Sequence, residues 1–356
     1  ACCSQFLNKA VKTNSTRKWI YLVLGTTVTV VLLSWALRDV SLTAVWNALK
    51  SAQPGWLFLG WIAYIASYWV RARRWGTLLA AHCDPGRFKI RLCATFIGFG
   101  ASSLLPAQAG EFIRPAIVSR FDRVPFATAF GSVFVERLLD IGIVLVLLLI
   151  PLWSGIIPQS SALNGFALGG IAIVLVLLWG TFLIAASFPD SVARIVGTIC
   201  QKVGLGRFRS KIESALVKFL GGLSALRQPK RTLIAVVETF CIWGLNGITY
   251  WAGLLAFGIA TPGFLGALFI QSSTALAIAL PSTPGFIGPF EAGIRFGLTI
   301  FSINSDIAIA YAIAMRFLML VTIPIIALAI ATKLGLSPTE ITSKTALISG
   351  AYNSEK

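Results

Sequence analysis

The sequence predicts an all-α polytopic membrane protein. Hydrophobic residues make up 56% of the 356 residues and charged residues only 12%, whereas about a quarter of the residues in soluble proteins are charged. Apolar runs of about 18 or more residues, the length that a helix needs to cross the hydrocarbon core, recur along the chain. We predict a single transmembrane domain, residues 1–356, with six full spans at 19–37, 54–70, 126–152, 162–188, 232–255 and 307–331.

Basic residues orient these spans. Clusters at 9–18, 71–91 and 194–231 are all expected in the cytoplasm, because loops on that side are enriched in Lys and Arg. If residues 92–109 crossed the membrane completely, the 194–231 cluster would lie outside. A re-entrant hairpin that enters at Leu92, turns near Pro106 and Gly110 and returns by Arg120 avoids this. Non-helical backbone at membrane depth is tolerated where it lines a cavity. Both termini are then cytoplasmic, and 194–231 is a basic amphipathic connector on the cytoplasmic leaflet.

The second half of the chain repeats this pattern. "LPAQAG" at 105–110 is echoed by "LPSTPG" at 280–285, and each is followed by an acid and an arginine at helical spacing and then by an arginine in an apolar helix. The copies, 54–152 and 232–332, begin with spans that run in opposite directions. We therefore predict an inverted repeat with two re-entrant hairpins, an architecture typical of secondary transporters. The breaks are assigned to Pro106, Gly110, Pro281, Pro284, Gly285 and Gly288.

Ionisable residues inside apolar segments mark the candidate substrate-binding site. They are Arg114, Arg137, Arg295, Arg316, Glu111, Glu136, Asp140 and Glu291. We expect the arginines to converge on one cavity, where each guanidinium group can bind a phosphate through two parallel hydrogen bonds. Two alternatives remain open for the acids. Glu136 and Asp140 can form a self-neutralising structural network with Arg137, and the other two either cap helix N-termini or couple transport to a proton or cation.

The sequence contains no metal-ligand spacing, Ser/His/Asp set or Gly-rich nucleotide loop. We therefore expect no metal, cofactor or catalytic residue. The net charge of +17 comes from residues that flank the spans, where the orientation rule and anionic lipid headgroups account for it without a nucleic-acid partner.

Four segments, "LLPAQAGEFIR", "ERLLD", "LPSTPGFIGPFEAGIR" and "MRF", resemble the transmembrane family named for lysylphosphatidylglycerol synthase. The resemblance implies movement of lipids, including aminoacylated phospholipids or lipid-linked sugars, between leaflets, in a bacterial or archaeal plasma membrane. Its motif positions are Pro106, Gly110, Glu111, Arg114, Glu136, Arg137, Asp140, Pro284, Gly285, Glu291 and Arg316. The chain ends at Lys356, without room for the soluble domain that aminoacylates lipid in fused synthases, so we expect no such transferase activity.

The expected function is therefore that of a flippase. It would move an anionic phospholipid or a polyprenyl-phosphate-linked sugar by alternating access. Two alternatives belong to other classes. One is a membrane-embedded glycosyl or acyl transferase that uses Glu111, Glu136 or Asp140 as a base, and the other is a non-catalytic subunit of a cell-envelope assembly.

Overall fold

The computed structural model describes residues 27–81 apart from 28, together with 83–105, 110–157, 228–279, 284–336 and single positions between 170 and 198. Every element within these ranges is helical, as the sequence predicted, and no strand occurs in them. Nearly all of the predicted span 162–188 and of the connector 194–231 lies outside the described residues, as do Pro106, Pro281 and both chain ends.

A helical segment at 29–36 precedes ten helices. They are α1 Leu42–Ser51, α2 Pro54–Leu79, α3 Phe88–Leu104, α4 Gly110–Asp122, α5 Phe126–Trp153, α6 Pro229–Ala256, α7 Gly263–Ile278, α8 Pro289–Thr299, α9 Ser305–Arg316 and α10 Thr322–Lys333. A 3₁₀ turn, Pro284–Phe286, precedes α8, and a π-helical turn, Phe317–Val321, joins α9 to α10. Pro324 has no N–H to donate to the carbonyl of Leu320, which explains why the helix widens there.

Helices α2 and α6 pack antiparallel along their whole length. The N–H of Gln53 donates to the carbonyl of Ala256 at 2.8 Å. Midway, the hydroxyl of Thr249 donates to the carbonyl of Gly60 at 3.0 Å. At the other end, the Gln228 amide donates to the carbonyl of Ala81 at 3.1 Å. The start of each helix therefore lies beside the end of the other.

Two helical hairpins flank this central pair. In the first, α3 and α4 are joined at their open end, where Arg87 Nε lies 2.8 Å from Asp122 Oδ1. At its closed end a Cβ on Gly110 would overlap the carbonyl oxygen of Gly98, so glycine permits the close approach of the two helices. In the second, formed by α7 and α8, the Ser273 hydroxyl donates to the carbonyl of Gly293 at 3.0 Å. Helix α10 packs on α3, and α5 packs on α7.

Two described helical stretches are long and apolar enough to cross a membrane by themselves, Pro229–Ala256 and Ser305–Lys333. Helix α5 has 28 residues, but Glu136, Arg137 and Asp140 interrupt its apolar sequence. The six-span count and the inverted repeat remain predictions.

Candidate functional site

A buried network of ion pairs joins α2 to α5. Arg74 is fully buried and donates from Nη1 to Asp140 Oδ1 at 2.7 Å and from Nη2 to Oδ2 at 3.2 Å. Its Nη1 also donates to the hydroxyl of Thr239 at 2.9 Å. The indole of Trp243 adds a bond to Asp140 Oδ1 at 3.0 Å. This paired geometry is the strongest arrangement for an arginine and a carboxylate, and it holds Asp140 in one orientation.

The network continues into the first hairpin. Glu136, also buried, lies between Arg74, whose Nε is 3.7 Å away, and Arg114, whose Nη1 is 2.8 Å from Oε2. Glu111, at the start of α4, pairs with Arg137 of α5 at 3.0 Å. Four of the predicted site residues, Glu111, Arg114, Glu136 and Arg137, are therefore linked across α4 and α5. This geometry agrees with the structural alternative that the sequence left open for Glu136 and Asp140.

A cavity of about 200 Å³ lies beside the network. Helices α2 to α7 contribute to its lining, together with Phe286 and Phe290 at the second hairpin and Met319 and Leu320 of the π-helical turn. Its charged lining residues are Arg71, Arg114, Arg137, Glu111 and Asp140. Three arginines against two carboxylates leave one net positive charge in this lining.

Arg71 differs from the other arginines of the cavity. It is 8% exposed, forms no ion pair with any described residue, and its Nε has no hydrogen-bond acceptor among them. Its guanidinium carbon lies 5.0 Å from the ring centre of Phe99 and 5.9 Å from that of Tyr68. Aromatic faces partly stabilise a buried cation, but they do not use its N–H donors. A guanidinium with free donors at a cavity wall can bind an anion.

Phe99 is the common neighbour of the three cavity arginines. The guanidinium carbons of Arg114 and Arg137 lie 5.3 and 5.5 Å from its ring centre, close to the 5.0 Å of Arg71. The ring thus keeps three cations near one another without neutralising them. Arg137 and Arg114 are also paired with Glu111 and Glu136, so the net positive charge of this group comes from Arg71.

A second cluster holds the second hairpin together. Arg316 pairs with the carboxylate of Glu291 at 2.5 Å and donates to the carbonyl of Gly285 at 2.7 Å. Glu291 in turn accepts from the N–H of Gly288 at 2.9 Å. Glu291 therefore caps the N-terminus of α8, which is one of the two roles considered for it. Neither Arg316 nor Glu291 lines the cavity, although Phe290, under the Arg316 guanidinium at 5.1 Å, does.

Arg295 lies apart from both clusters. Its Nη1 donates to the carbonyls of Trp35 and Ala36 at 2.6 and 2.7 Å, and its Nη2 to the Ser305 hydroxyl at 3.1 Å. It binds the carbonyl end of helical segment 29–36, where the helix dipole favours a cation. The expectation that four arginines converge on one cavity needs correction. Only Arg114 and Arg137 of the predicted set line it.

Arg71 and Arg74 were assigned from the sequence to a cytoplasmic cluster, yet both are buried. So is Arg91, which donates to the carbonyl of Pro85 at 2.7 Å. A count of basic residues does not separate a flanking loop from the interior of a helix bundle. The signal that identifies them is the helical spacing, because Arg71 and Arg74 continue the buried stripe of Tyr64 and Ser67 at intervals of three and four.

The predicted breaks in the second half occupy left-handed backbone. Gly285 has φ +79° and Gly288 φ +91°, values that L-residues with a side chain adopt only with strain. Pro284 begins the 3₁₀ turn that contains Gly285. These residues form the turn that precedes α8, and Arg316 ties the carbonyl of Gly285 to α9.

The sequence is similar to several known archaeal proteins. A UPF0104 membrane protein of Pyrococcus horikoshii is 23% identical over 290 residues, which cover 77% of this chain and 84% of the relative. The glycosyltransferase AglD of Haloferax volcanii is 24% identical over 312 residues, 79% of this chain and 49% of AglD, so the match spans about half of that relative. A UPF0104 membrane protein of Methanocaldococcus jannaschii is 23% identical over 220 residues, 61% of this chain and 86% of that protein. No solved structure matches.

The family model for the lysylphosphatidylglycerol synthase TM region matches residues 22–327. The match includes both hairpins, the buried network and the cavity described above, and it confirms the resemblance read from the sequence. The chain is therefore a membrane protein that belongs to the lysylphosphatidylglycerol synthase TM region family.

Proposed function

We propose that this protein is a flippase that moves an anionic phospholipid or a polyprenyl-phosphate-linked sugar between membrane leaflets. The observation that carries the proposal is Arg71, a buried guanidinium at the wall of a cavity that forms no direct ion pair with a described residue and only a longer-range electrostatic interaction with Asp140. Burying an unpaired charge is costly, so the site is poised to gain from an anionic ligand. A phosphate group supplies that anion, and the membrane family supports a lipid as its carrier.

In this proposal each charged residue has a distinct role. Arg71 binds the phosphate directly, while Arg114 and Arg137 add positive potential and remain oriented by Glu136 and Glu111. The acids therefore position the arginines rather than carry a coupled proton. Because the lining retains only one positive charge, it attracts a phosphate without the large excess of cations that would make release slow.

Alternating access is the mechanism that the helix arrangement supports. The order α2 to α5 is matched by α6, α7, α8 and the continuous stretch Ser305–Lys333 that joins α9 to α10. The lengths are 26, 17, 13 and 28 residues against 28, 16, 11 and 29. The antiparallel contact of α2 and α6 is the one that an inverted pair of repeats would make at its symmetry axis. Helix α3, with 17 residues, is only about 26 Å long. It is shorter than the roughly 30 Å hydrocarbon core, as a re-entrant segment would be.

This proposal also includes a location. We place the protein in the plasma membrane as a multi-pass protein with both termini in the cytoplasm, and its partners are the transported lipid and the anionic headgroups around it. The exposed aromatic and aliphatic side chains on α2, such as Phe58, Ile62 and Trp69, would then face lipid.

Transport by purified protein in liposomes tests the proposal. The probe is phosphatidylglycerol with a fluorescent acyl chain, and a membrane-impermeant quencher reports the fraction in the outer leaflet. We expect rapid exchange with the wild type and a large loss in Arg71→Met. Arg38→Met is the control, because Arg38 lies outside the cavity and both it and its ion-pair partner Asp39 are largely exposed, at 77% and 80%. Exchange no faster than in protein-free liposomes, for this lipid and for a fluorescent polyprenyl phosphoglucose, would exclude a flippase.

A second candidate is a membrane-embedded glycosyl or acyl transferase, favoured by the similarity to half of a protein named as a glycosyltransferase. The geometry is less suited to it, because Oδ1 of Asp140 accepts from Arg74 and Trp243 and Oδ2 accepts from Arg74. A carboxylate held in this way has little capacity to act as a base. Formation of a labelled glycolipid by the purified protein from a polyprenyl phosphoglucose donor would favour the transferase.

A further inference from the structure

Two buried amides lie in the same cavity as the arginines. Asn246 of α6 is 4% exposed and Gln271 of α7 is 2% exposed, and both line the cavity. Neither Asn246 Oδ1 nor Gln271 Oε1 receives a hydrogen bond from any residue that the structure describes. Buried acceptors without a donor are unusual and lower stability. The proposed phosphate-binding role leaves these two atoms unexplained.

The orientation of Gln271 is determined by its other amide atom. Its Nε2 donates to the backbone carbonyl of Trp243 at 3.1 Å. If the amide were turned over, two oxygen acceptors would face each other and this bond would be lost. Oε1 is therefore the atom without a partner, and Gln271 offers the cavity an acceptor. A ligand that satisfies it must bring a hydrogen-bond donor.

The net charge of the cavity lining determines which hydrogen-bond donor a ligand can bring to these acceptors. An ammonium group would meet an excess of arginines, Arg71, Arg114 and Arg137, over the carboxylates of Glu111 and Asp140. Like charges in a buried site repel strongly. A hydroxyl group donates a hydrogen bond without adding positive charge. The acceptor of Gln271 therefore suits a hydroxyl group, and Asn246, whose amide is oriented by no described hydrogen bond, can accept from or donate to one, while the arginines suit a phosphate.

We infer that the cavity recognises a phosphodiester whose headgroup carries free hydroxyl groups, a glycerol or a single sugar, with Asn246 and Gln271 as specificity-determining residues. This inference rests on the proposed function and names its substrate class. The volume of about 200 Å³ accommodates one such small headgroup and not an oligosaccharide. Both a glycerophospholipid and a polyprenyl phosphosugar contain this chemistry.

Matched lipids test the inference in the liposome assay. Phosphatidylglycerol and phosphatidylmethanol carry the same charge and differ in the hydroxyl groups of the head. Phosphatidylethanolamine carries an ammonium, and a polyprenyl phosphoglucose carries a sugar. We expect the wild type to move at least one of the hydroxyl-bearing lipids about tenfold faster than phosphatidylmethanol, because the analogue leaves buried acceptors without a donor and a factor of ten corresponds to about 1.4 kcal/mol.

Three variants make the test specific. Asn246→Leu and Gln271→Met remove the two amides. In both variants the ratio of the transport rate of a hydroxyl-bearing lipid to that of phosphatidylmethanol should fall close to one. Gln228→Met is the matched control, since Gln228 also donates one Nε2 bond of 3.1 Å to a backbone carbonyl, that of Ala81, outside the cavity. It should keep the wild-type preference. If Gln271→Met fails to fold, as judged by size-exclusion chromatography, Asn246→Leu carries the test.

The outcomes separate this inference from the proposed function. Equal rates for phosphatidylglycerol, phosphatidylmethanol and the phosphosugar, or a faster rate for phosphatidylethanolamine, would overturn the hydroxyl assignment while lipid transport stands. An unchanged preference in well-folded Asn246→Leu and Gln271→Met would overturn the role of the two amides. Absence of transport for all four lipids would instead overturn the proposed function itself.

Discussion

Replacing Arg71 with methionine should reduce transport without reducing stability. The substitution removes ring contacts with Phe99 and Tyr68, at 5.0 and 5.9 Å, each worth about 0.5–2 kcal/mol. It also removes the cost of burying a charge that forms no direct ion pair with a described residue, a cost of several kcal/mol in proteins that the electrostatic interaction with Asp140 offsets in part. Methionine fills much of the same volume. We expect the free energy of unfolding to stay within about 1 kcal/mol of the wild type or to rise.

Arg74, three residues further along the same helix, should behave in the opposite way. Arg74→Met breaks the bonds of 2.7 and 3.2 Å to Asp140 and leaves this carboxylate with fewer cations around it. Removal of one partner from a buried ion pair costs about 3–5 kcal/mol. The two variants therefore make the same chemical change on one helix with different consequences for stability, because only Arg74 forms a direct, hydrogen-bonded ion pair with Asp140.

The transport defect of Arg71→Met can be estimated from the bond that it removes. A hydrogen bond between charged groups is worth about 1.5–3 kcal/mol, and each 1.4 kcal/mol is about a factor of ten. We expect transport of phosphatidylglycerol to fall by about 10- to 150-fold. Stability is measured by SDS titration in mixed micelles and transport by the liposome assay. Destabilisation of Arg71→Met equal to that of Arg74→Met, or transport at the wild-type rate, would refute the reasoning.

Two further substitutions test the hairpins, and a third, on α6, serves as a control. Gly110→Ala should destabilise the protein by about 1–3 kcal/mol, because its Cβ would overlap the Gly98 carbonyl, and a lowered melting temperature in detergent reports this. Gly244→Ala, on α6 with nothing within 4 Å of the new Cβ, should raise stability by about 0.5–1 kcal/mol, so equal effects of the two alanines would contradict the packing. Arg316→Met should speed hydrogen exchange at 284–290, since the carbonyl of Gly285 loses its donor. Unchanged exchange there would show that the bond from Arg316 to Gly285 does not stabilise this turn.

Several elements could be predicted closely from the sequence. The predicted spans 126–152 and 232–255 correspond to Phe126–Trp153 and Pro229–Ala256. The predicted turn near Gly110 separates α3 from α4. These predictions depend on local properties, namely apolar runs, helix-breaking residues and the spacing of charges along a helix, which a single segment determines by itself. The helix that contains the predicted span 54–70 extends beyond it. Helix α2 continues to Leu79 because arginine is compatible with a helix.

The sequence by itself determined the helical class, the membrane family and the acids of the site with two of its arginines, Arg114 and Arg137, but not Arg71 or Arg74. Only the tertiary structure decided which of these residues meet. Arg74 and Asp140 are 66 residues apart, and the carbonyls that hold Arg295 belong to residues about 260 positions earlier. An arginine has the same helical spacing whether it faces a carboxylate, a carbonyl or an open cavity. Its function follows from the groups that distant helices bring within hydrogen-bond distance, and this is why Arg71 rather than Arg295 lies at the cavity.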